Sequence, residues 1–339
     1  MSTVGCVAGK FWPPHAGHLQ LIQVALQQCD QLHVVVIERP EERPRGLQRA
    51  RWLRRLCPTA TVHLTADDID DTSAGWAGRV VELLGRSPDV VFSSEDYGDG
   101  WAAELGCRHL LVDRYRRVVP VSGTAVRADP LGHWDWLSAP VRAYYAPRVV
   151  LVGAESTGKT TLAAGLADAF STVWVPEWAR LYGEERSFGV EDWESDDGLF
   201  ELITLNQPRL ESEMAETCNR LLVCDTDLLI TSIWHETYRP GEEVGRRNVA
   251  DAHDRQRDEY AEALYLLCLD DAPWVQDGTR NRGGDDPAAI GSRPWFTRRL
   301  REELAARQEA VVELSGSLDN RFDTALAAVR DRGWFLPGD

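Results

Sequence analysis

Lysine is nearly absent from this chain. Of 37 basic residues, 35 are arginine and only Lys10 and Lys159 are lysine. A generic lysine-rich surface is excluded, and each of those two positions asks for a local reason. The seven cysteines (Cys6, Cys29, Cys57, Cys107, Cys218, Cys224, Cys268) form no CxxC pair and no Cys/His cluster at zinc-ligand spacing. Their odd number excludes a complete disulfide framework, and they read as buried thiols. No apolar run approaches the roughly 18 residues a membrane-spanning helix needs. The start, Met-Ser-Thr-Val-Gly-Cys-Val, has no basic segment leading into a hydrophobic stretch and cleavage site, so no signal peptide is expected. A reducing cytoplasm is the expected compartment. Positive charge is short overall: the net charge of −17 repels phosphate backbones and anionic lipid, so neither nucleic acid nor a membrane is an expected partner.

What is present suffices for two cores. The chain has 339 residues, 43% of them apolar, and domains usually run to roughly 100–200 residues. Residues 1–147 carry 17 acids and 16 bases, whereas 148–339 carry 37 acids and 21 bases, an asymmetry that suggests two units. Strand-length apolar runs at Val4–Ala8, His33–Ile37, Thr61–Leu64, Val90–Phe92 and His109–Val112 alternate with amphipathic stretches near 18–28, 47–56, 76–85 and 99–105. The pattern pauses at the Pro- and Trp-rich Asp129–Pro147 and restarts with Arg148–Val152. It continues through Val173–Val175, Leu221–Cys224, Leu264–Leu269 and Ala310–Leu314, with helical patterns near 159–169, 196–219, 294–308 and 318–331. Such alternation predicts parallel sheets wrapped by helices. The expected fold is α/β with two doubly wound domains, residues 1–143 and 147–339, and the Gly/Asp/Arg-rich segment 277–293 reads as a loop.

The first chemical constellation follows the first strand: Gly9-Lys10-Phe11-Trp12-Pro13-Pro14-His15-Ala16-Gly17-His18, then a helix starting at Leu19. A glycine at a strand end lets backbone approach a ligand closely, and the next helix start offers free N–H groups to an anion. His15 and His18, three residues apart, can donate together to phosphate oxygens. A capping or core pair and an HxxH metal pair are the plainer alternatives. In its strand–helix context, GxFxPxHxGH resembles the signature of the nucleotidylyltransferase superfamily. Val121-Ser122-Gly123-Thr124-Ala125-Val126-Arg127 resembles that superfamily's ISSTxxR motif, with Gly123 in place of the second serine; a plain capped helix is the alternative.

That resemblance implies a Rossmann-like nucleotidylyltransferase (HxGH) domain. ATP would be bound through Gly9, Phe11, Ser122 and Thr124, with an acceptor phosphate oxygen attacking the α-phosphorus in line. The protein's task is positioning and stabilisation of charge on the leaving pyrophosphate, assigned to Lys10, His15, His18 and Arg127. Asp71-Thr72-Ser73-Ala74-Gly75-Trp76 and Phe92-Ser93-Ser94-Glu95-Asp96-Tyr97-Gly98 resemble the nicotinamide mononucleotide adenylyltransferase branch. There Trp76 would stack on the cationic nicotinamide ring; a core role is its alternative.

The second constellation is Gly153-Ala154-Glu155-Ser156-Thr157-Gly158-Lys159-Thr160-Thr161 between the apolar strand Arg148–Val152 and a helical run. GxxxxGK[ST] in that context is a P-loop. Backbone from Gly153 through Ser156, Thr157 and Gly158 would cradle phosphates with Thr161, Lys159 would reach the β/γ oxygens, and Thr160 would hold Mg²⁺. Leu221-Leu222-Val223-Cys224-Asp225-Thr226-Asp227 has Walker-B form: Asp225 is the candidate metal acid, and Asp227 a carboxylate that approaches substrate. Glu177 and Arg180, after Val173–Pro176, are acceptor-site candidates, and spacing leaves the choice of base between Asp227 and Glu177 open. Arg280 and Arg282 lie on a glycine-rich stretch suited to a closing lid, or to a solvated surface loop.

Domain order, motif order and junction together resemble the bifunctional NadR-type family over about residues 3–335. The second half would be a P-loop ribosylnicotinamide kinase domain, with Trp178 and Trp274 as candidate walls for the riboside ring. The resemblance implies phosphorylation of nicotinamide riboside, then adenylyl transfer from ATP to nicotinamide mononucleotide, giving NAD and pyrophosphate. ATP would serve at two sites, with Mg²⁺. Because the first strand begins almost at Met1, no N-terminal repressor domain and no operator DNA binding are expected. Oligomeric state stays open. Two other readings remain: a pantetheine-phosphate adenylyltransferase joined to a dephospho-coenzyme A kinase, and a nucleotide-sensing regulator without turnover. Both lysines fall inside the ATP motifs. A compact ammonium on a thin stem fits a phosphate cradle that a planar guanidinium does not.

Overall fold

The computed structural model describes residues 2–186, 198–274 and 289–334. The chain divides into two compact units, Met1–Val141 and Arg142–Asp339. In the first, β1 (Val4–Gly9), β2 (Gln31–Glu38), β3 (Thr61–Ala66), β4 (Val90–Ser93) and β5 (Arg108–Leu111) form one parallel sheet in the order β3-β2-β1-β4-β5. The connections carry α1 (Ala16–Leu26), α2 (Gly46–Leu56), α3 (Ser73–Leu84) and α4 (Tyr97–Leu105), and α5 (Gly123–Ala128) follows β5.

Both faces of this sheet are covered, which is why its central strands read as unbroken apolar runs. Ile22 and Leu53 pack with Val7, Val34, Val36 and Phe92 on one side. Ala77, Val80, Trp101 and Leu105 pack with Cys6, Val35 and Val91 on the other. The strand order reverses at β1, so the loops leaving β1 and β4 diverge at their carboxyl ends. That is where an open α/β sheet forms a ligand crevice.

The second unit repeats the plan with different winding. β6 (Arg148–Gly153), β7 (Trp174–Val175), β8 (Leu222–Asp225), β9 (Ala263–Cys268) and β10 (Val311–Leu314) form a parallel sheet in the order β10-β9-β6-β8-β7. Its helices are α7 (Lys159–Ala169), α8 (Trp178–Arg186), α9 (Leu199–Ala215), α10 (Leu228–Tyr238), α11 (Glu243–Arg257), α12 (Arg293–Ala306) and α13 (Leu318–Arg330). The Trp-rich junction is itself structured, with a 3₁₀ turn at Trp134–Trp136 and α6 (Ala139–Tyr145).

Helices α10 and α11 occupy a stretch in which the sequence pattern gave no helix, for opposite reasons. The start of α10 is buried all round, from Leu228 to Ile233, so it has no polar face to reveal a 3.6-residue period. In α11 only Val249, His253 and Gln256 are buried, too few to mark an apolar stripe. All seven cysteines are unpaired thiols; Cys29 and Cys107 are half-buried, where burial was expected. No described helix is long and apolar enough to cross a membrane.

Candidate functional sites

A cavity of about 1020 Å³ opens at the carboxyl end of β1. It brings together every first-half candidate: Gly9, Lys10, Phe11, His15, His18, Trp76, Ser122, Thr124 and Arg127 all line it. His15 caps α1, its Nδ1 accepting from the Gly17 N–H at 3.1 Å, while His18 Nδ1 accepts from the His15 N–H at 3.3 Å. Capping and function are therefore compatible here. With both Nδ1 atoms serving as acceptors, the proton of each neutral ring sits on Nε2, and both rings present a donor. The rings lie 3.8 Å apart, with Phe11 edge-on to His18 at 5.1 Å. Burial, aided by the Arg116 charge, pulls His15 down to about 4. Burial, then His15 and Arg116, holds His18 well below the ordinary imidazole value. The pair is neutral at pH 7, two hydrogen-bond donors without a permanent charge.

The cations of this cavity are held by named partners. Lys10 Nζ donates to Glu42 Oε1 at 2.8 Å and lies 3.5 Å from Asp67. Glu42 is buried and also accepts from the buried Arg49 at 2.6 Å; a second Arg49 nitrogen donates to the Lys10 carbonyl at 2.5 Å. Burial pushes the Glu42 carboxyl up, but hydrogen bonds from Lys10, the Arg39 N–H and Arg49 outweigh it and keep it ionised. Arg127 stacks over Trp12 at 4.1 Å, donating to the Trp12 carbonyl at 2.5 Å and to Thr124 Oγ1 at 3.1 Å. The same carbonyl explains Gly123: a Cβ there would meet it at 2.7 Å. Ser122 caps α5 by accepting from the Ala125 N–H. Trp76 donates to Asp71 at 3.2 Å, fixing its ring in the wall.

Sequence reasoning missed Arg116, which lines this cavity and whose charge acts on both histidines. Its loop is tied down by Asp113, whose carboxylate accepts from the N–H groups of Arg117, Val118 and Val119 at 2.8–3.2 Å. An aspartate directly after a strand is the signal for such a turn.

The second unit holds a cavity of about 180 Å³ at the carboxyl end of β6, lined by residues 155–161, Glu177, Arg180, Gln207, Thr226, Trp234 and Tyr238, among others. Gly153 is required where β6 ends: its φ is +153° and a Cβ would lie 2.5 Å from the Cys268 carbonyl. Lys159 Nζ donates to the carbonyls of Gly153 and Ala154, both at 2.9 Å. Thr160 Oγ1 donates to Asp225 Oδ2 at 2.5 Å, so the hydroxyl opening α7 and the acid ending β8 meet. Hydroxyl and carboxylate oxygens suit Mg²⁺, which usually takes one or two protein ligands and completes its shell from phosphates and water. No group of three or more His, Cys, Asp or Glu that could hold a metal ion occurs among the described residues.

Asp227 departs from expectation. It is buried, caps α10, and accepts from Tyr265 at 2.7 Å and the Leu229 N–H at 2.9 Å, with His253 at 3.3 Å. Burial raises its carboxyl, but these hydrogen bonds outweigh that and hold it low. It is absent from the cavity wall, so of the two base candidates only Glu177, 3.8 Å from Arg180, faces the cavity. The next backbone N–H, that of Trp178, donates to Gln207 at 2.7 Å. The Trp178 ring stacks on Tyr182, and neither Trp178 nor Trp274 lines the cavity; Trp234 and Tyr238 on α10 do. Arg280 and Arg282 lie outside the described residues.

Another residue the sequence did not reveal braces the P-loop from below. Buried Arg321 on α13 donates to the carbonyls of Thr157, Leu269 and Gly316 and pairs with Asp271.

Comparison with known proteins agrees with this layout. The AAA domain family model matches residues 148–321. The trifunctional NAD biosynthesis/regulator protein NadR of Escherichia coli (strain K12) is 26% identical, with 83% of this chain and 72% of that protein covered. Its Salmonella typhimurium (strain LT2) counterpart is 27% identical with the same coverage. A crystal structure of a NadR protein in complex with NR has a TM-score of 0.76 at 23% identity, covering 98% of this chain and 96% of that one. A second, in complex with NAD and AMP-PNP, has a TM-score of 0.74 at 22% identity, with the same coverage.

Proposed function

The chain belongs to the AAA domain family and is homologous to the NadR proteins, and on that premise we propose that it makes NAD with two ATP-using sites, one per unit. The observation that supports this reading is that the candidate phosphate-binding residues of each unit, one of the two lysines among them, line a cavity at the carboxyl edge of that unit's own parallel sheet. The second unit acts as a P-loop ribosylnicotinamide kinase. The first acts as a Rossmann-like adenylyltransferase.

In the kinase cavity, P-loop N–H groups and Lys159 hold the β- and γ-phosphates. Thr160 and Asp225 would hold Mg²⁺, which would supply neutralisation of phosphate charge when bound. Trp234 and Tyr238 form an aromatic wall for the nicotinamide ring. The riboside hydroxyl oxygen bonds to the γ-phosphorus, the bond to ADP breaks, and Glu177 takes the proton.

In the larger cavity the product's phosphate oxygen attacks the α-phosphorus of a second ATP, and pyrophosphate leaves. A volume of about 1020 Å³ is at the upper end of ordinary ligand pockets, which suits two nucleotides side by side. The Nε2–H donors of His15 and His18 bind the triphosphate, Lys10 and Arg127 balance charge on the departing pyrophosphate, and Trp76 stacks on nicotinamide.

Incubation with ATP, Mg²⁺ and either nicotinamide riboside or dephospho-coenzyme A tests the reading. Phosphorylated riboside followed by NAD is the expected result. Phosphorylation of dephospho-coenzyme A alone would overturn it.

A further inference from the structure

Between the two acids that end β8 stands Thr226, a residue to which the scheme above gives no role. Its backbone has φ +86°, a conformation glycine or asparagine adopts cheaply and a β-branched residue rarely does. The residue is 3% exposed, and its Oγ1 is buried with no hydrogen-bond partner among the described residues. Thr226 thus combines two unfavourable features, and either would be removed by a glycine.

The surroundings hold this geometry from both sides. Asp225 accepts from Thr160 Oγ1, Asp227 is committed to Leu229, Tyr265 and His253, and the Thr226 N–H donates to the Leu151 carbonyl at 3.1 Å. Neither neighbouring acid accepts from the hydroxyl. The residue itself lines the P-loop cavity with Lys159, Thr160 and Glu177. In a P-loop the backbone takes the β-phosphate while the lysine and the following hydroxyl reach toward the γ-phosphate. On that reading Thr226, in the same wall as Lys159 and Thr160, faces the γ-phosphoryl position, and a buried donor without a protein acceptor would match an anionic oxygen there.

We propose that the Thr226 hydroxyl is a ligand-binding group that donates to the γ-phosphoryl oxygen of the nucleotide, and that the strained backbone is retained because it delivers this donor. The inference rests on the reading of the second cavity as an ATP site. It goes beyond that reading in assigning γ-phosphate discrimination to a residue outside the P-loop.

Titration calorimetry of the full chain with Mg²⁺ and either ADP or AMP-PNP tests it without turnover and without an acceptor, the same titrations of Lys159→Ala giving the first cavity's share to be subtracted. Thr226→Val and Thr226→Gly are expected to weaken AMP-PNP about tenfold or more while leaving ADP unchanged, since hydrogen bonds to charged groups are of that size. Thr226→Ser keeps a hydroxyl and stays within about twofold of wild type for both nucleotides. Thr226→Gly relieves the backbone and melts no lower than wild type, so its loss cannot be ascribed to damage even where Thr226→Val fails to fold.

AMP-PNP binding at wild-type strength in Thr226→Gly, or equal weakening of ADP and AMP-PNP, would overturn the inference while leaving the ATP-site reading intact. A wild-type chain that binds neither nucleotide beyond the share seen in Lys159→Ala would remove both.

Discussion

The two lysines, each lining a cavity of its own unit, are held in opposite ways. Lys10 is held by side chains distant in sequence, with Glu42 as the bridge to buried Arg49 and Asp67 as a second acid. Lys159 is held by carbonyls of its own loop, Gly153 and Ala154. One cradle is a property of the tertiary fold and the other of a nine-residue segment. The first should therefore fail by loss of ion pairing, the second only by damage to the loop or its brace, Arg321.

The most severe test of that contrast is Glu42→Gln. It takes the Glu42 carboxylate from buried Arg49, and breaking such a buried pair costs about 3–5 kcal/mol. Unfolding of the first unit in urea, followed by proteolysis with fragments identified by mass, should shift by that amount while AMP-PNP binding at Lys159 stays unchanged. Equal loss in both units would break the comparison.

Acid and base should also separate the units. His15 sits near 4 in the folded state, below the ordinary imidazole value of about 6.5, so the unfolded chain binds the extra proton. The His15 contribution to the first unit's stability is full above about pH 6.5 and falls by about 3 kcal/mol as pH drops toward 4. His18 acts in the same direction. In the second unit, burial and then the Asp227 charge push Glu211 up to about 7. Its contribution is fully present below the usual carboxylate range and is lost as pH rises toward 7. The same fragment-resolved unfolding at pH 5 and pH 7.5 should show the two units moving in opposite directions; parallel movement would contradict these assignments.

A smaller effect sharpens the comparison. Lys10→Arg can keep the ion pairs with Glu42 and Asp67 but brings a planar group into the cradle. NAD formation from supplied mononucleotide should fall about tenfold, roughly 1.4 kcal/mol, with melting little changed. An unchanged rate would show that any cation suffices at position 10.

These contrasts also explain what was legible in the chain. The strands, the P-loop and the paired histidines are local patterns, and residues 4–18 and 148–161 carry them without reference to the rest. Glu42 and Asp67 lie 32 and 57 positions from Lys10, and nothing periodic links them. Asp227 was misleading because spacing alone sets it next to Asp225, whereas the positive φ at Thr226 sends its carboxylate into a buried group. Trp234 and Tyr238 stayed hidden with α10, whose buried start shows no amphipathic stripe. Local motifs announce a site, while the walls and braces around it come from contacts that only the folded chain brings together.

The central claim, two separable ATP sites in one chain, is tested most directly by following nicotinamide mononucleotide and NAD with wild type, His18→Ala and Lys159→Ala. Each protein is given ATP, Mg²⁺ and either nicotinamide riboside or the mononucleotide. Lys159→Ala should lose at least about a hundredfold in mononucleotide formation yet make NAD from supplied mononucleotide at the wild-type rate. His18→Ala should accumulate mononucleotide and make little NAD. Loss of both activities in either folded variant would contradict the account.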